Sequence, residues 1–491
     1  MELRRKAAAR YMDTPMPEKP SNGDLERYPS RIGSFSKGLP HNELGEVDRA
    51  AFQSLMDALR SGKPEDFEKI RMGGGAYLVN PQASLAYTLE GRDPHEMATP
   101  SAPALSSPEA AGDLVENYWL AMARDVPFSR YAEDDTIRTA TEDLSRLSAF
   151  TGPAPSGRVT AQSVFREKRP GDLRGPYISQ FLYLPVGYGA VTFDQRYLSP
   201  ARGLDYLTNY NEWINAQNGY VTPVRHTYNG TRYILTGRDL ASHVHIDWAG
   251  QGTMHALWIL LGYGREALHP SHPYKSTRTQ DGFTLWGPPG LGDWAMRSVG
   301  LALKTAWCLK WLTHFRLRPE AMAGRVHNNV QKLTDYPLHR DIFNSTALQR
   351  VLSQKGNALL PVAYPEGSPL HPSYPAGHAS WAGAGSTLLK AMFDENFVIP
   401  NPVVPNEDGT QLVPWRGEPL TVGGELDKLA ANIGIGRNFG GVHYRTDSTA
   451  SNVLGEAVTI ALLRDLLMTT NEYSGPIEFT KFDGTKARVE A

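Results

Sequence analysis

The sequence has little cysteine, no long apolar run and almost no net charge, and each of these absences excludes a class of protein. Cys308 is the only cysteine among 491 residues, which excludes intramolecular disulfides, zinc sites built from cysteines and iron–sulfur clusters. The net charge is −2, and 21% of the residues are charged. This composition gives no basic excess that would favour nucleic acid or a membrane surface. We therefore expect neither as a partner.

Membrane-spanning and secretory patterns are also missing from the sequence. The longest uncharged apolar run, MHALWILLGYG at 254–264, is too short to span a bilayer and is typical of a core helix. The basic residues at the N-terminus are not followed by an apolar run, unlike those of a secretory signal. We therefore expect a cytoplasmic protein.

Most of the secondary-structure patterns in the sequence are helical. Helical patterns begin near Glu46 and at DLVENYWLAMARDV, and the strongest later ones lie at about 201–217, 251–263, 291–316, 378–394 and 448–470. The clearest strand-like run is the short YGAVTFDQRYL at 188–198. Pro- and Gly-rich connections separate the helices and are suited to shaping a pocket. The sequence predicts an all-α fold with long loops.

Four segments follow from these patterns. We expect an extended N-terminal arm at 1–50, an N-terminal helical part at 51–240, a catalytic helical core at 241–475 and a C-terminal tail at 476–491.

Three stretches of the C-terminal half carry the polar chemistry. In KWLTHFRLRPE, Lys310 and Arg318 lie eight residues apart, and the helix is expected to end or kink at Arg318 because Pro319 follows. In HPSYPAGHAS, Gly377 and His378 stand at a predicted helix start, where unpaired N–H groups favour an anion.

The third stretch is GRNFGGVHYRTDS, which contains Arg437, His443 and Asp447. The i,i+4 spacing predicts His443 and Asp447 on one helical face, with the carboxylate bonded to one ring nitrogen. The other nitrogen is then free as a nucleophile or metal ligand. Together the three stretches supply one lysine, two arginines, a helix start and two histidines, a set suited to a tetrahedral or trigonal-bipyramidal oxyanion.

These stretches resemble the signature of the vanadium-dependent haloperoxidases, which share their fold and site with a class of acid phosphatases. The wording RLRPE is most similar to the algal, cyanobacterial and Streptomyces branches, and the similarity extends upstream through 78–91, 175–182 and 238–248. The resemblance implies helical bundles around a vanadate site, a site that phosphate can also occupy. It implies a homo-oligomer that oxidises halide with hydrogen peroxide and halogenates a small organic substrate.

The resemblance also implies roles for residues that bind the oxyanion. His443 would bond the vanadium, which makes it the metal ligand. Lys310, Arg318, Arg437 and the N–H of Gly377 would hold the equatorial oxygens.

Further roles concern catalysis and orientation. His378 would assist deprotonation of hydrogen peroxide, and Lys310 would polarise the bound peroxide. His371 matches a position next to the vanadate that is His in algal bromoperoxidases and Phe in fungal chloroperoxidases. Asp447 would orient His443.

One position departs from the family pattern. The family usually reads PSGH, in which the serine hydroxyl donates to an equatorial oxygen, whereas this chain reads PAGH and has Ala376 there. Losing a hydrogen bond to a charged group costs about 1.5–3 kcal/mol, so we expect a weakened oxyanion site. The substitution also leaves open a repurposed homologue, either a halide-independent isomerase or rearrangement enzyme or an acid phosphatase that phosphorylates His443.

Two further histidine patterns are less specific. His314 is a candidate supporting residue behind the site. SHVHIDW, with His243, His245 and Asp247, resembles the HxHxDH zinc motif of metallo-β-lactamase-like hydrolases, but Trp248 replaces the last histidine and the α/β strand pattern is missing. The two histidines are expected to pack or to line the pocket entrance.

Overall fold

Sixteen α-helices provide most of the regular structure in residues 1–472 and 475–490, which the computed structural model describes. The N-terminal half contains α1 (Glu2–Met12), α2 (Asp24–Arg27), α3 (Arg49–Ser61), α4 (Pro64–Phe67), α5 (Pro108–Ala123), α6 (Asp135–Leu144), α7 (Tyr210–Gln217) and α8 (Gly237–His243). The C-terminal half contains α9 (Gln251–Gly262), α10 (Pro288–Leu309), α11 (Pro319–Val330), α12 (Arg340–Asn344), α13 (Thr346–Lys355), α14 (Gly377–Met392), α15 (Val422–Phe439) and α16 (Arg445–Thr469). The helical fold class predicted from the sequence is confirmed.

The strands are short and form four antiparallel ribbons. They pair β1 (Val186–Tyr188) with β2 (Val191–Phe193), β3 (Tyr197–Pro200) with β4 (Tyr228–Arg232), β5 (Val403–Pro405) with β6 (Leu412–Pro414), and β7 (Ile477–Thr480) with β8 (Lys486–Val489). In register, Val186 lies opposite Phe193 and Ile477 opposite Val489. The predicted strand-like run supplies parts of β1, β2 and β3.

Local sequence signals explain where two early helices begin and end. The Asp48 side chain accepts from the backbone N–H of Ala51 at the start of α3, and Gly62 ends that helix at a φ of +67°. Ser107 caps α5 in the same way, with Pro108 as the first helical residue. These are the two early helices that the sequence predicted.

The core is built on α14 and α16, which run parallel. The backbone N–H of Ala376 donates to Ser451 Oγ (2.7 Å). Eight residues further along each helix, Thr459 Oγ1 donates to the Ala384 carbonyl (3.1 Å). A Cβ on Gly455 would lie 2.1 Å from a carbonyl oxygen of α14, so the backbones touch there and only glycine fits. The starts of both helices therefore lie at one end of the bundle, with α10 and α15 alongside.

The two ends of the chain pack against this bundle. Residues 1–50, expected as an extended arm, contain α1, α2 and a stretch at 32–39 that is buried throughout. The Tyr11 hydroxyl of α1 lies 3.2 Å from the Ala461 carbonyl of α16. The tail forms the β7–β8 ribbon, in which Phe479 is fully buried. The division into four segments stays a prediction, and its residues 473, 474 and 491 lie outside the described ones.

Two helix predictions are wrong in part. The helix expected over 201–217 begins only at α7, because Asn209 caps it and residues before that form a turn after β3. The helix α15, which carries Arg437, is missing from the predicted helices. In the described part of the chain, no helix has the length and apolar character needed to cross a membrane.

Candidate active site

The first wall of the site follows α10. Residues Lys310–His314 form a π-helical turn, and Phe315 then adopts a φ of +45°. Single π turns often occur at functional sites because they displace one side chain from the regular helix. Here Lys310 is fully buried, and its Nζ donates to the carbonyls of Pro372 (2.6 Å) and Ser373 (3.0 Å). The turn thus fixes a buried ammonium beside the loop that leads into α14.

Arg318 follows in extended conformation and is the residue that precedes α11. The expectation that the preceding helix ends at Arg318 is wrong by several residues, because the π turn and Phe315 already end it at His314. The guanidinium donates through Nε to the His371 carbonyl (2.9 Å) and through Nη1 to the Val442 carbonyl (2.7 Å). Nη1 also lies 3.0 Å from His443 Nε2. Arg318 thus contacts both of the other stretches.

Arg437 lies in the last turn of α15 and is buried. Its Nη1 donates to the Val244 carbonyl (2.7 Å), and its guanidinium lies over the ring of Tyr364 at 5.2 Å. Its buried Nε has no hydrogen-bond partner among the described residues. A buried guanidinium with a free donor is incomplete without an acceptor.

Gly377 and His378 begin α14, as the sequence predicted. The first N–H groups of a helix have no partner inside the helix. A Cβ on Gly377 would lie 3.1 Å from the Trp307 ring, so glycine keeps this backbone open. Ala376 is the residue that precedes the helix, and it provides no side-chain cap.

His378 is paired with Asp247, which was identified from the sequence only as part of a zinc-like motif. Its Nε2 lies 2.9 Å from Asp247 Oδ1, and its ring packs at 4.1 Å from Trp381, one helical turn along α14. Burial lowers the pKa of His378 below its ordinary 6.5, and Asp247 opposes that effect. His378 is therefore held as a neutral imidazole near neutral pH.

His443 and Asp447 are in contact, although not for the predicted reason. His443 lies in the turn before α16, so the two do not share a helical face. Asp447 is the third residue of α16, where it accepts from the backbone N–H of Tyr444 (3.1 Å) and from His443 Nδ1 (3.0 Å). The bond to Nδ1 leaves the lone pair of Nε2 directed away from Asp447. The predicted hydrogen bond is confirmed and its geometry is corrected.

A buried network fixes Asp447 in turn. Arg316 donates to Asp447 Oδ1 (2.5 Å) and to Asp113 Oδ2 (3.0 Å), and the Ser373 hydroxyl donates to Asp447 Oδ2. Arg316 and hydrogen bonds from His443 and Ser373 hold the pKa of Asp447 well below its usual range despite burial. Asp447 is therefore ionised and orients His443. Sequence reasoning missed Arg316, although it stands between Lys310 and Arg318 in the same RLR wording.

His371 lies beside the cations. Its ring centroid is 4.8 Å from that of Trp307, and its Nδ1 is 3.0 Å from Arg318 Nη2. Burial and the neighbouring Arg318 hold the pKa of His371 well below 6.5. It is thus a neutral ring against the guanidinium.

These elements enclose a cavity of about 280 Å³. It is lined by His245, Trp307, Tyr364, Glu366, Gly367, Pro369, His371, Gly377, His378, Trp381, Arg437 and His443. The structure brings His371, Gly377, His378, Arg437 and His443 to one cavity, with Lys310, Arg318 and Asp447 bonded directly behind its wall.

The charge of the site is unbalanced. Lys310, Arg318 and Arg437 are all buried, and none of them forms an ion pair with a carboxylate in the described part of the chain. Burial, and then Arg437, lower the pKa of Arg318 to about 9. Burial and Arg318 likewise hold the pKa of Lys310 well below its ordinary value. Such a cluster fits an oxyanion, which would supply the missing negative charge.

The three remaining candidate histidines occupy different positions relative to the cavity. His314 bonds Thr99 Oγ1 (2.9 Å) and is not among the lining residues, so it can support the site only from behind. His245 lines the cavity, whereas His243 is buried against Tyr197. No group of three His, Cys, Asp or Glu side chains suited to a metal ion occurs in residues 1–472 and 475–490, so the zinc motif is not formed.

Several residues in or beside the cavity were not assigned to the site from the sequence. Trp381 could have been found from its i+3 spacing to His378, and Asp247 from its place in SHVHIDW. Tyr364 and Glu366 lie in an irregular loop, where no periodicity marks the residues that face inward.

Comparisons with known proteins agree with this geometry. Residues 314–471 match the family described as the VCPO second helical-bundle domain. A vanadium-dependent bromoperoxidase of Ascophyllum nodosum is 34% identical over 92% of this chain and 85% of its own length. A second, from Corallina officinalis, is 32% identical over 96% of this chain and 92% of its own.

A solved structure extends the agreement to the whole fold. The second vanadate-dependent bromoperoxidase of Ascophyllum nodosum, a homohexamer, superimposes with a TM-score of 0.94 at 29% identity, over 99% of this chain and 89% of that one. Similarity of this extent, together with the cation-lined cavity and its carboxylate-held histidine, shows that the chain belongs to the vanadium-dependent haloperoxidase family.

Proposed function

We propose that this chain is a vanadate-dependent haloperoxidase that oxidises bromide with hydrogen peroxide and so halogenates small organic substrates. The observation that carries the proposal is a set of three buried cations, none paired with a carboxylate among the described residues, beside a histidine whose Nε2 is left unprotonated by the bond from Nδ1 to Asp447. The choice of bromide rests on the relatives, which are named bromoperoxidases.

The same residues fit the cofactor. Lys310, Arg318, Arg437 and the N–H of Gly377 would hold the vanadate oxygens, and His443 Nε2 would bond the vanadium. The free Nε of Arg437 supports this set, because it is a buried donor that lacks an acceptor. Bound vanadate would supply a Lewis acid that makes the peroxide oxygen electrophilic toward halide.

The chain's own residues orient groups and move protons. Asp447 accepts from His443 Nδ1, so Nε2 is left unprotonated, with Arg318 Nη1 3.0 Å from it. His378, kept neutral by burial, accepts a proton from incoming hydrogen peroxide, and Asp247 stabilises the imidazolium that results. Trp307 and Trp381 line the cavity beside these groups.

Phosphate would bind the same cations as vanadate, because it is a tetrahedral oxyanion of similar shape and charge. We expect it to compete with vanadate at this site. A phosphatase or a halide-independent isomerase would use the same cavity and would show itself as turnover that needs neither vanadate nor peroxide.

Self-association is also proposed for this chain. The relative with the same fold forms a homohexamer, and we expect a homo-oligomer here, which light scattering of the purified protein would measure. The cytoplasmic location expected from the sequence stays a prediction.

The deciding experiment combines metal analysis with a halide assay. The protein is freed of bound anions, and vanadium content and peroxide-dependent bromide oxidation are measured with and without added vanadate, and with excess phosphate. We expect activity to require vanadate and bromide and to fall with phosphate. Absence of vanadate binding and of halide oxidation would contradict the proposal.

A further inference from the structure

A third histidine–carboxylate pair lies at the edge of the cavity, apart from the two pairs already described. His245 Nε2 is 2.5 Å from Glu366 Oε1, and both residues line the cavity. The side chain of Glu366 is 48% exposed, whereas that of His245 is 17% exposed. The pair therefore connects the cavity wall with bulk solvent.

The pair is fixed by its surroundings. The His245 ring stacks on Tyr364 at 3.9 Å with an interplanar angle of 9°, and the Tyr364 hydroxyl donates to the Ala241 carbonyl (2.8 Å). On the other side, the buried Lys37 Nζ donates to the Glu366 carbonyl (2.9 Å). The plane of the His245 ring and the backbone of Glu366 are therefore both anchored.

Several other charged or titratable groups lie around His245. His226 packs at 5.9 Å, but burial lowers its pKa to about 4, so it is neutral. The ammonium of Lys37 is bonded to Glu320 (2.6 Å). Arg437 lies over Tyr364, and Asp247, two residues along, is bonded to His378.

The three pairs form a series from the interior outward. The carboxylate of the His443 pair is fully buried, that of the His378 pair is 5% exposed, and that of the His245 pair is half exposed. His245 and Asp247 lie on one short segment after α8, so a single stretch of chain serves both outer pairs. His245 Nδ1 is buried and has no hydrogen-bond partner among the described residues.

The reaction assigned above needs such a connection. Halide and hydrogen peroxide take up one proton and give hypohalous acid and water. The O–O bond breaks and an O–halogen bond forms, with two electrons passing from halide to the peroxide oxygens. Each turnover must therefore draw one proton from solvent into a cavity beside three buried cations.

We propose that Glu366 and His245 are this proton relay, an inference that rests on the proposed function. The proton enters at the half-exposed carboxylate and crosses its hydrogen bond to Nε2, and the imidazolium releases a proton from Nδ1 through cavity water to the peroxide oxygen that leaves as water. Rotation of the imidazole ring then exchanges the two nitrogens and restores the Nδ1–H tautomer for the next turnover. No bond to the halide or to peroxide is made by either residue.

The test uses Glu366→Gln and His245→Ala in full-length protein loaded with vanadate. In weak buffer we expect the turnover number for bromide oxidation to fall about tenfold or more, as for loss of a proton-transfer group, while vanadate content and the KM for peroxide stay unchanged. Added imidazole, a diffusible proton carrier, should restore His245→Ala in a saturable manner. Glu407→Gln, on an exposed loop, is the matched control and should behave as wild type.

Each other outcome is decisive. Unchanged turnover in both variants, or a loss that imidazole does not repair, would overturn the relay. A loss of vanadate from both variants would assign the pair a structural role instead. If wild type itself oxidises no halide with vanadate present, the proposed function fails, which is distinguishable because the relay is tested only as a difference from an active wild type.

Discussion

Three buried cations of the helical core are paired with carboxylates, whereas the three at the cavity are not. In the core, Lys428 lies 2.5 Å from Glu425, and Lys390 and Arg445 are likewise paired with Asp427 and Glu116. At the cavity, the three cations contact carbonyl oxygens, histidine rings, aromatic rings and the Tyr364 hydroxyl, and none is paired with a carboxylate among the described residues. Burying an unpaired charge costs several kcal/mol, so the cavity retains a cost that the three paired cations of the core avoid. An external anion is the group that would offset it.

The largest effect is expected from removing His443, the residue proposed to bond the vanadium in the cavity. His443→Ala deletes the nitrogen that the bond to Asp447 keeps unprotonated, so vanadate binding and bromide oxidation should fall to background. Vanadium content after dialysis and the halide assay measure this. His339→Ala, at the start of α12 and away from the cavity, is the control. Unchanged vanadate affinity in His443→Ala would contradict the site assignment.

The next effect concerns proton transfer inside the cavity. His378→Ala should lower the rate by about 10²–10⁴, the usual contribution of a general acid–base group. Since burial lowers the pKa of His378 below 6.5, it gains a proton only in more acidic solution, where it can no longer accept one from peroxide. Wild-type activity should therefore fall as pH falls through this pKa.

Variants of the His378–Asp247 pair test whether the pKa of His378 sets the acid limb of the pH–rate profile. Asp247→Asn removes the charge that raises the pKa of His378, so the acid limb of the pH–rate profile should move to lower pH. His378→Ala should lack that limb. An unaltered limb in His378→Ala would place the titrating group elsewhere, with His371 as the next candidate.

Removing one cation from the cavity and one from the core tests the difference between these two regions. Arg318→Met should weaken vanadate about tenfold to a hundredfold, for a lost charged hydrogen bond of about 1.5–3 kcal/mol. Lys428→Met leaves Glu425 buried without its partner and should lower the free energy of unfolding by about 3–5 kcal/mol, with vanadate affinity unchanged. Denaturant unfolding with and without vanadate measures both. Equal effects of vanadate on the stability of wild type and Arg318→Met would contradict the distinction.

Sequence patterns predicted the motif residues but not how they meet. A specific sequence motif identified each of Lys310, His378 and His443. Helix α14 was predicted from its periodicity. The π turn after α10 was not predicted, because helical periodicity does not distinguish it from a regular turn.

Long-range contacts account for the other omissions. Asp247 is 131 residues from His378, and Arg316 is 203 residues from Asp113. Such partners are chosen by the packing of distant elements, which a single sequence does not specify. Glu366 was missed for a related reason, since its role depends on where a loop crosses the cavity edge.

The smallest effect is expected at Ala376, where the chain lacks the serine usual in the family. The position precedes α14, which has no side-chain cap, and its backbone N–H is already bonded to Ser451. A serine here can act in two ways: it can cap α14, which is worth about 0.5–2 kcal/mol, or it can donate to the oxyanion. The first raises stability without vanadate, and the second raises vanadate affinity.

Measuring both quantities in Ala376→Ser separates the two effects. We expect vanadate to bind up to about tenfold more tightly, for one added hydrogen bond, and bromide oxidation to saturate at lower vanadate. Ala376→Gly, which adds no donor, should show neither gain. If Ser raises stability alone, the hydroxyl caps the helix and the oxyanion set is already complete without it. If the variant loses activity that wild type has, the added hydroxyl is not tolerated at a position that is 1% exposed, and the weakened-site interpretation is wrong.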